Sequence, residues 1–405
     1  MNLDRDLIPP PFEMSEKRSL RIHFYVNHVH EVGTYFRFHN LAIGLTKLGH
    51  QVTVYAADQN FKSHRRLETR DNVAYFIEPE NYLVRVFGNA CDPITCFKRR
   101  FQKTPQCDVA HLFQPFPSAA SAWFRSNAMV RFYDWDDLWS GGLMSGPISR
   151  MSDRWSRFVV GFLEARLLRW TNHVTGISQY LVDRARQHGA KNVTLVNSGS
   201  WPSEIVESRE TLRSKLGLQN DGLYAGFMGR TTAELSWCFD ALEDSLERHP
   251  QLRLAVCGPQ LSELDGLATS VRNRIDYLGQ LTSSQAKEFA ACIDLGLLPM
   301  SESVFNQSRL PQKFGDHIGS GVPLLCSTVG ECGRLIGLFP SAIAAGSTRE
   351  DWVRTFRDTV DRICRREIPT ADPEIFRQRL SWEGLSQILV DAYKTELSRS
   401  ATDKT

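Results

Sequence analysis

A chain of 405 residues with a net charge of +2 is long enough for two domains of ordinary size, each with its own core. Basic and acidic residues are interspersed, which gives no footprint for nucleic acid. Nine cysteines show neither metal-ligand spacing nor a small secreted framework, no apolar run is long enough to span a bilayer, and no leader precedes the first strand. The expectation is a soluble protein of the reducing cytoplasm.

Residues 1–18 are polar and proline-bearing and read as a loose tail. Leu20 to Asn27 reads as a buried strand, followed by a loop with Gly33, a helix from about Tyr35 to Leu48 and a second strand from Gln51 to Ala56. This is a βαβ unit. Its turn lacks the triple-glycine dinucleotide fingerprint, which argues against a nicotinamide enzyme. Asp108 to Phe113, with His111, and Ala128 to Tyr133 read as further strands, the second running into YDWDDLW. Strand ends line the crevice of an α/β sheet, so His111 is a candidate for orienting a sugar or moving a proton, against the blander reading of a core histidine. Asp134, Asp136 and Asp137, beside Tyr133, Trp135 and Trp139, suit sugar hydroxyls and ring faces; the same cluster could cap a loop or hold a cation.

The segment from Ser152 to Trp170 has helical spacing, with Phe158, Phe162, Leu163 and Leu167 on a face expected to pack on the core. Arg154, Arg157, Arg166 and Arg169 around it leave an anionic membrane surface as the alternative. A strand, a helix capped by Ser178 and another strand lead to a hinge between Ser198 and Ser208.

A second βα series opens at Leu223, where AGFMGR places Arg230 at a helix start fit for a phosphate. Arg253 to Cys257 is a strand running into Gly258, Ile275 to Gly279 another, and Leu295 to Pro299 a third. The third opens the stretch that organises the chain, Pro299 to Glu331, PMSESVFNQSRLPQKFGDHIGSGVPLLCSTVGE. Arg309, Pro311 and Lys313 open a short helix stopped by Gly321 and Pro323, a unit that sets free N–H groups and cations at the carboxyl edge of a sheet. Asp316 lies one turn beyond Lys313 and suits the vicinal hydroxyls of a ribose, while the cations hold a diphosphate. The plain alternative is a surface helix start whose charges serve caps and dipole.

This stretch resembles the donor-site motif of retaining glycosyltransferases of family four, particularly the branch of exopolysaccharide and teichuronic-type synthesis. VGTYFRFHNLAIGLTKLGHQVTVYA looks like that family's first glycine loop and helix, and LSWEGLSQILVDAYKTEL like its terminal helix, which crosses back to the first domain. The chain departs from the pattern at three places. Ser308 and Asp316 stand where much of the family has two glutamates, Tyr133 and Asp134 stand where many members have a histidine, and Leu235 and Ser236 where a lysine is common.

The resemblance implies an α/β fold of two Rossmann-like domains facing across a cleft, the GT-B architecture. An acceptor domain would span 19–200, a donor domain 201–378, and the terminal helix 379–405. It implies transfer of a sugar from a nucleotide-diphosphate sugar to a glycan or lipid-linked acceptor, with retention, in the cytoplasm or at the inner membrane face. Gly33, Arg230, Gly258, Arg309, Lys313 and Asp316 are assigned to the donor, Arg37, Trp135 and Asp137 to the acceptor, and Asp134 and His111 to catalysis. The cations would carry the leaving diphosphate, so neither metal nor cofactor is expected. A nucleotide-sugar 2-epimerase and a non-catalytic scaffold subunit are the rival readings.

Overall fold

Short runs of three to eight residues, most of them apolar, become the strands of two sheets in the computed structural model, which describes residues 19–58, 64–80, 83, 92–144, 151–229, 234–258 and 266–402. The first half comprises β1 (Arg21–Tyr25), α1 (Thr34–Lys47), β2 (Gln51–Asp58), β3 (Arg66–Arg70), β4 (Val73–Pro79), α2 (Pro93–Arg100) and β5 (Cys107–Phe113). It continues with α3 (Pro117–Phe124), β6 (Ala128–Trp135), a π-turn at Trp139–Leu143, α4 (Met151–Trp170), β7 (His173–Gly176), α5 (Gln179–Gln187) and β8 (Val193–Leu195). The strand order is β3-β4-β2-β1-β5-β6-β7-β8, parallel throughout except for β3 against β4.

The second half comprises α6 (Arg209–Leu216), β9 (Leu223–Met228), α7 (Leu235–Ser245), β10 (Leu252–Cys257), α8 (Thr269–Arg272), β11 (Ile275–Gly279), α9 (Ser283–Cys292) and β12 (Leu295–Leu298). Then come α10 (Val304–Ser308), α11 (Gln312–Gly319), β13 (Leu324–Ser327), α12 (Gly330–Ile336), β14 (Ala342–Ala345), α13 (Arg349–Cys364), α14 (Pro373–Arg379) and α15 (Trp382–Thr402). This sheet is parallel, in the order β11-β10-β9-β12-β13-β14. In each half an inner strand is buried at every residue, CDVAHLF in β5 and LRLAVC in β10. Continuous apolar runs of this kind belong to parallel sheets covered on both faces.

The chain passes from the first sheet to the second at Val196 to Trp201 and returns through α15. Ser200 N donates to Leu380 O at 2.8 Å and Trp382 N to Ser200 O at 3.2 Å, so the outgoing and returning segments are bonded to each other. Helix α15 then packs along α1, where a Cβ on Gly44 would lie 3.0 Å from the Trp382 carbonyl oxygen. Only glycine admits that approach. One apolar cluster joins Trp135, Leu138 and Leu181 of the first half to Met300, Leu310 and Phe314 of the second, so the two sheets share part of a core.

Helix α4 corrects the face expected from its spacing. Val160, Leu167 and Leu168 are buried while Phe158 and Phe162 are exposed. No described helix is long and apolar enough to cross a membrane.

Candidate active site between the two sheets

The carboxyl ends of β1, β5 and β6 supply one wall of the site. Gly33, with φ +57°, starts α1 in the left-handed region, and no heavy atom lies within 4 Å of the position its Cβ would take. Backbone here is open to a close-lying ligand. The next residue, Thr34, donates its hydroxyl to Asp136 Oδ2 and accepts Gln114 Nε2 at 2.7 Å. Trp139 Nε1 donates to the other Asp136 oxygen at 3.2 Å. Burial, and then the charge of Asp134, push the Asp136 carboxyl up to about 6. Asp137 is only partly covered. Burial and the neighbouring Asp136 raise its pKa well above the usual carboxylate range, against the pull of Arg309 from the second half.

Four residues expected in this wall are committed elsewhere. Asp134 takes a bidentate pair from Arg37, Nε at 2.7 Å and Nη2 at 2.8 Å. It also accepts the Thr175 hydroxyl at 2.5 Å. Arg37 also donates to the carbonyl oxygens of Val196 and Asn197, both at 2.8 Å. Both side chains are buried, so this ion pair staples α1, β6, β7 and the hinge together.

His111 is buried among Phe24, Phe113, Phe132 and Tyr393, with Nδ1 2.6 Å from the Tyr393 hydroxyl. Burial pulls its pKa down to about 3. Its contact with Tyr393 pins the terminal helix to the first sheet. Trp135 is also interior, donating Nε1 to Glu164 at 2.8 Å.

The opposite wall is built from the turns after β9 and β10 and from α10 and α11. Gly229 and Gly258 have φ +132° and +158°. A Cβ on Gly258 would fall 2.0 Å from the Gly229 carbonyl oxygen, and one on Gly229 1.7 Å from Lys313 Nζ. The two turns therefore touch, with the Lys313 ammonium resting on them and 5.4 Å from the centre of the Phe227 ring. Burial, then the Arg309 charge, pull the Lys313 pKa down to about 8.

Arg309 lies 4.2 Å over the Phe305 ring and donates Nη2 to Asn306 Oδ1 at 2.7 Å. Asn306 is oriented in turn by Ser301 O at 2.8 Å and by Glu234 at 3.4 Å. Neither cation makes an ion pair with a carboxylate among the described residues, and the Arg309 Nε is buried without a hydrogen-bond partner there. Arg230 lies outside the described residues. Asp316, expected beside a ribose, accepts the Ser200 hydroxyl at 2.6 Å, and burial pushes its pKa up to about 6. The structure thus ties it to the hinge, on the side of α11 where Gly315 meets Gly199 and Ser200.

Sequence reading missed the contacts between the walls. Glu331, buried at the start of α12, accepts Gln179 N at 2.7 Å and Asn197 Nδ2 at 3.1 Å. Ser178 donates its hydroxyl to Ser308 O at 2.7 Å. A carboxylate in the first turn of α12 was the available signal, but its partners are more than 130 residues away. Among the described residues, no group of three His, Cys, Asp or Glu side chains is arranged to hold a metal ion.

Comparison with known proteins agrees with this architecture. Residues 33–199 match the model of Glycosyltransferase Family 4. A protein of Bacillus subtilis strain 168, TuaH, whose name places it in teichuronic acid biosynthesis as a glycosyltransferase, is 24% identical over 229 residues. That match covers 54% of this chain and 55% of the relative, so it spans about half the length of each.

Among solved structures, sucrose-phosphate synthase of Thermosynechococcus elongatus superposes with a TM-score of 0.67 at 12% identity, over 94% of this chain and all of that one. HepE of Anabaena, in complex with UDP and glucose, gives 0.65 at 13% identity over 93% of this chain and all of its own. WaaG, a glycosyltransferase of lipopolysaccharide biosynthesis, gives 0.60 at 14% identity, covering 94% and 98%. Residues 33–199 thus match a family-four glycosyltransferase model, and nearly the whole chain shares the two-sheet GT-B architecture of these glycosyltransferases.

Proposed function

We propose that the protein transfers a hexosyl group from a nucleotide-diphosphate sugar to a glycan or lipid-linked acceptor, with retention at the anomeric carbon and without a metal ion. The observation that carries this is the pair Arg309 and Lys313. Both lack a carboxylate ion-pair partner among the described residues: Lys313 rests against the glycine turn at the end of β9, and Arg309 stands close enough to act on both Lys313 and the half-covered Asp137 of the other half. Charge without a counter-ion in a buried setting is costly unless a ligand brings the opposite sign.

A diphosphate between the walls would accept hydrogen bonds from Arg309 and Lys313, and the same bonds strengthen as charge develops on the leaving group. Glycines 229 and 258 let the two turns and the Lys313 ammonium close on one another beneath it. Asp137, across the cleft, would orient an acceptor hydroxyl. UDP is the first nucleotide to try, because HepE was solved with it. A lipid-linked acceptor would bring the protein to the cytoplasmic face of a membrane.

Calorimetric titration with UDP, ADP and GDP tests the nucleotide site, and mass spectrometry after incubation with donor sugars and acceptors tests transfer. Failure to bind any nucleoside diphosphate would leave a scaffold role. A donor altered at carbon 2 without transfer would indicate epimerisation.

A further inference from the structure

We propose that helices α2 and α4 form a docking face for an anionic lipid bilayer. The argument starts from side chains that folding leaves in water. Helix α4 exposes Trp155 (48%), Phe158 (68%) and Phe162 (47%), and α2 with its cap exposes Phe97 (65%) and Phe101 (59%). On α4 these recur at three- and four-residue intervals, which puts them on one stripe of the helix. The two helices flank α3, which packs against both. Phe124 of α3 meets Trp170 of α4 ring to ring at 5.6 Å, and Phe97 meets Phe101 at 4.7 Å.

Exposed aromatic groups of this extent on neighbouring helices mark an interaction surface. The charges select its partner. Lys98, Arg100, Arg154 and Arg166 stand among the rings without a carboxylate partner among the described residues, and Arg166 lies 5.4 Å from the centre of the Phe162 ring. Of the two acids of α4, Asp153 stands in the first turn and Glu164 is turned inward to Trp135, Trp139 and Ser140. Aromatic rings that sink to the level of the headgroups, ringed by arginine and lysine, match anionic lipid.

Position adds a reason for the face to exist. Glu164 ties α4 to Trp139 N at 2.8 Å and Ser140 N at 2.9 Å, directly after the Asp136–Asp137 pair. From α2, buried Arg99 donates to Val26 O at 3.0 Å and Tyr55 O at 2.9 Å, in the segments that follow and flank β1. Both helices are thus fastened to the first-sheet wall of the cleft. A headgroup-linked acceptor leaving the bilayer would meet that wall first, and only this last step rests on the proposed transfer.

The test is co-sedimentation of the full chain with vesicles of phosphatidylcholine alone and with about one third phosphatidylglycerol, in low and high salt. Binding is expected only with phosphatidylglycerol, weakened by salt. The triple variant Arg100→Glu, Arg154→Glu, Arg166→Glu should lower partitioning at least about hundredfold, and Phe158→Ser with Phe97→Ser about tenfold or more. Calorimetry should find nucleotide affinity unchanged in both variants, which separates this inference from the fate of the catalytic one. Equal binding to neutral vesicles, no binding at all, or wild-type partitioning in the variants would each overturn it. So would a dimer in vesicle-free solution that Phe158→Ser dissolves, since that would make the face a self-association surface.

Discussion

Arg309 and Lys313 are the side chains on which the reading of the cleft turns. Charge-assisted bonds to a diphosphate are worth about 1.5 to 3 kcal/mol each, so Arg309→Ala and Lys313→Ala should each weaken nucleoside diphosphate binding by about tenfold to a hundredfold, with melting temperature little changed. Unaltered titration curves in both variants would dissociate these cations from phosphate. Asp134 behaves differently, because its partner Arg37 is interior. Arg37→Met leaves a buried, unpaired carboxylate and should cost about 3 to 5 kcal/mol of stability in urea unfolding, with Arg37→Met, Asp134→Leu recovering most of it. Were the single variant as stable as the parent and merely slower, the pair would belong to the chemistry after all.

Where these residues come to lie is a matter of alternation. In a strand, successive side chains point to opposite faces, and a run such as Tyr133-Asp134-Trp135 divides between two layers that spacing alone cannot label. Asp134 falls on the side of α1 and α15, Trp135 on the side of α4, and only after the strand ends do Asp136 and Asp137 reach the cleft. Composition identified a carboxylate cluster with rings; the register decided which of its members is available.

At the scale of elements, the alternation of strand and helix, the glycine turn at Gly33, the Ser178 cap and the parallel two-sheet class were all readable, because each follows from a local period or a single residue type. The solvent stripe of α4 was not readable, since apolar spacing says which residues share a face but not whether that face is covered.

Helix α11 carries a cost of the same kind. His317, seated against Gly296, is buried with neither ring nitrogen hydrogen-bonded among the described residues, and burial pulls its pKa down to about 3. An unfolded histidine takes up its proton near 6.5, so below that pH the unfolded chain binds more protons and stability falls toward pH 3. At pH 5 the loss is about 2 kcal/mol for each such histidine, His111 included. Asp136 and Asp316, raised to about 6, act in the opposite sense. The folded state holds their protons between about 6 and 4, which offsets part of the loss. His317→Leu should therefore flatten the acid limb of a melting-temperature profile and cost little or nothing at neutral pH. A profile parallel to wild type would show that the ring is solvated in the native state.

For the whole molecule, the question is what holds the walls at their separation. An apolar cluster crosses the boundary, and apolar contact fixes no unique angle by itself because it is non-directional. Direction comes from polar bonds between the halves: Ser178 to Ser308, Ser200 to Asp316, and above all Glu331, whose two oxygens take the backbone N–H that opens α5 and the side-chain amide of hinge residue Asn197. Asn197 is also where Arg37 anchors its carbonyl, so one carboxylate ties the second sheet to the buried pair of the first.

Glu331→Gln keeps size and one acceptor but turns an amide N–H toward one of those two donors. The expected cost is about 1 to 3 kcal/mol in urea unfolding, accompanied by a larger radius of gyration in solution scattering as the cleft opens. Because the phosphate cations stay in the second half, affinity for a free nucleoside diphosphate should hold while transfer, which needs both walls, drops. If instead the scattering radius and the urea midpoint match the parent, the apolar cluster alone sets the angle between the halves and Glu331 is only a helix-start carboxylate.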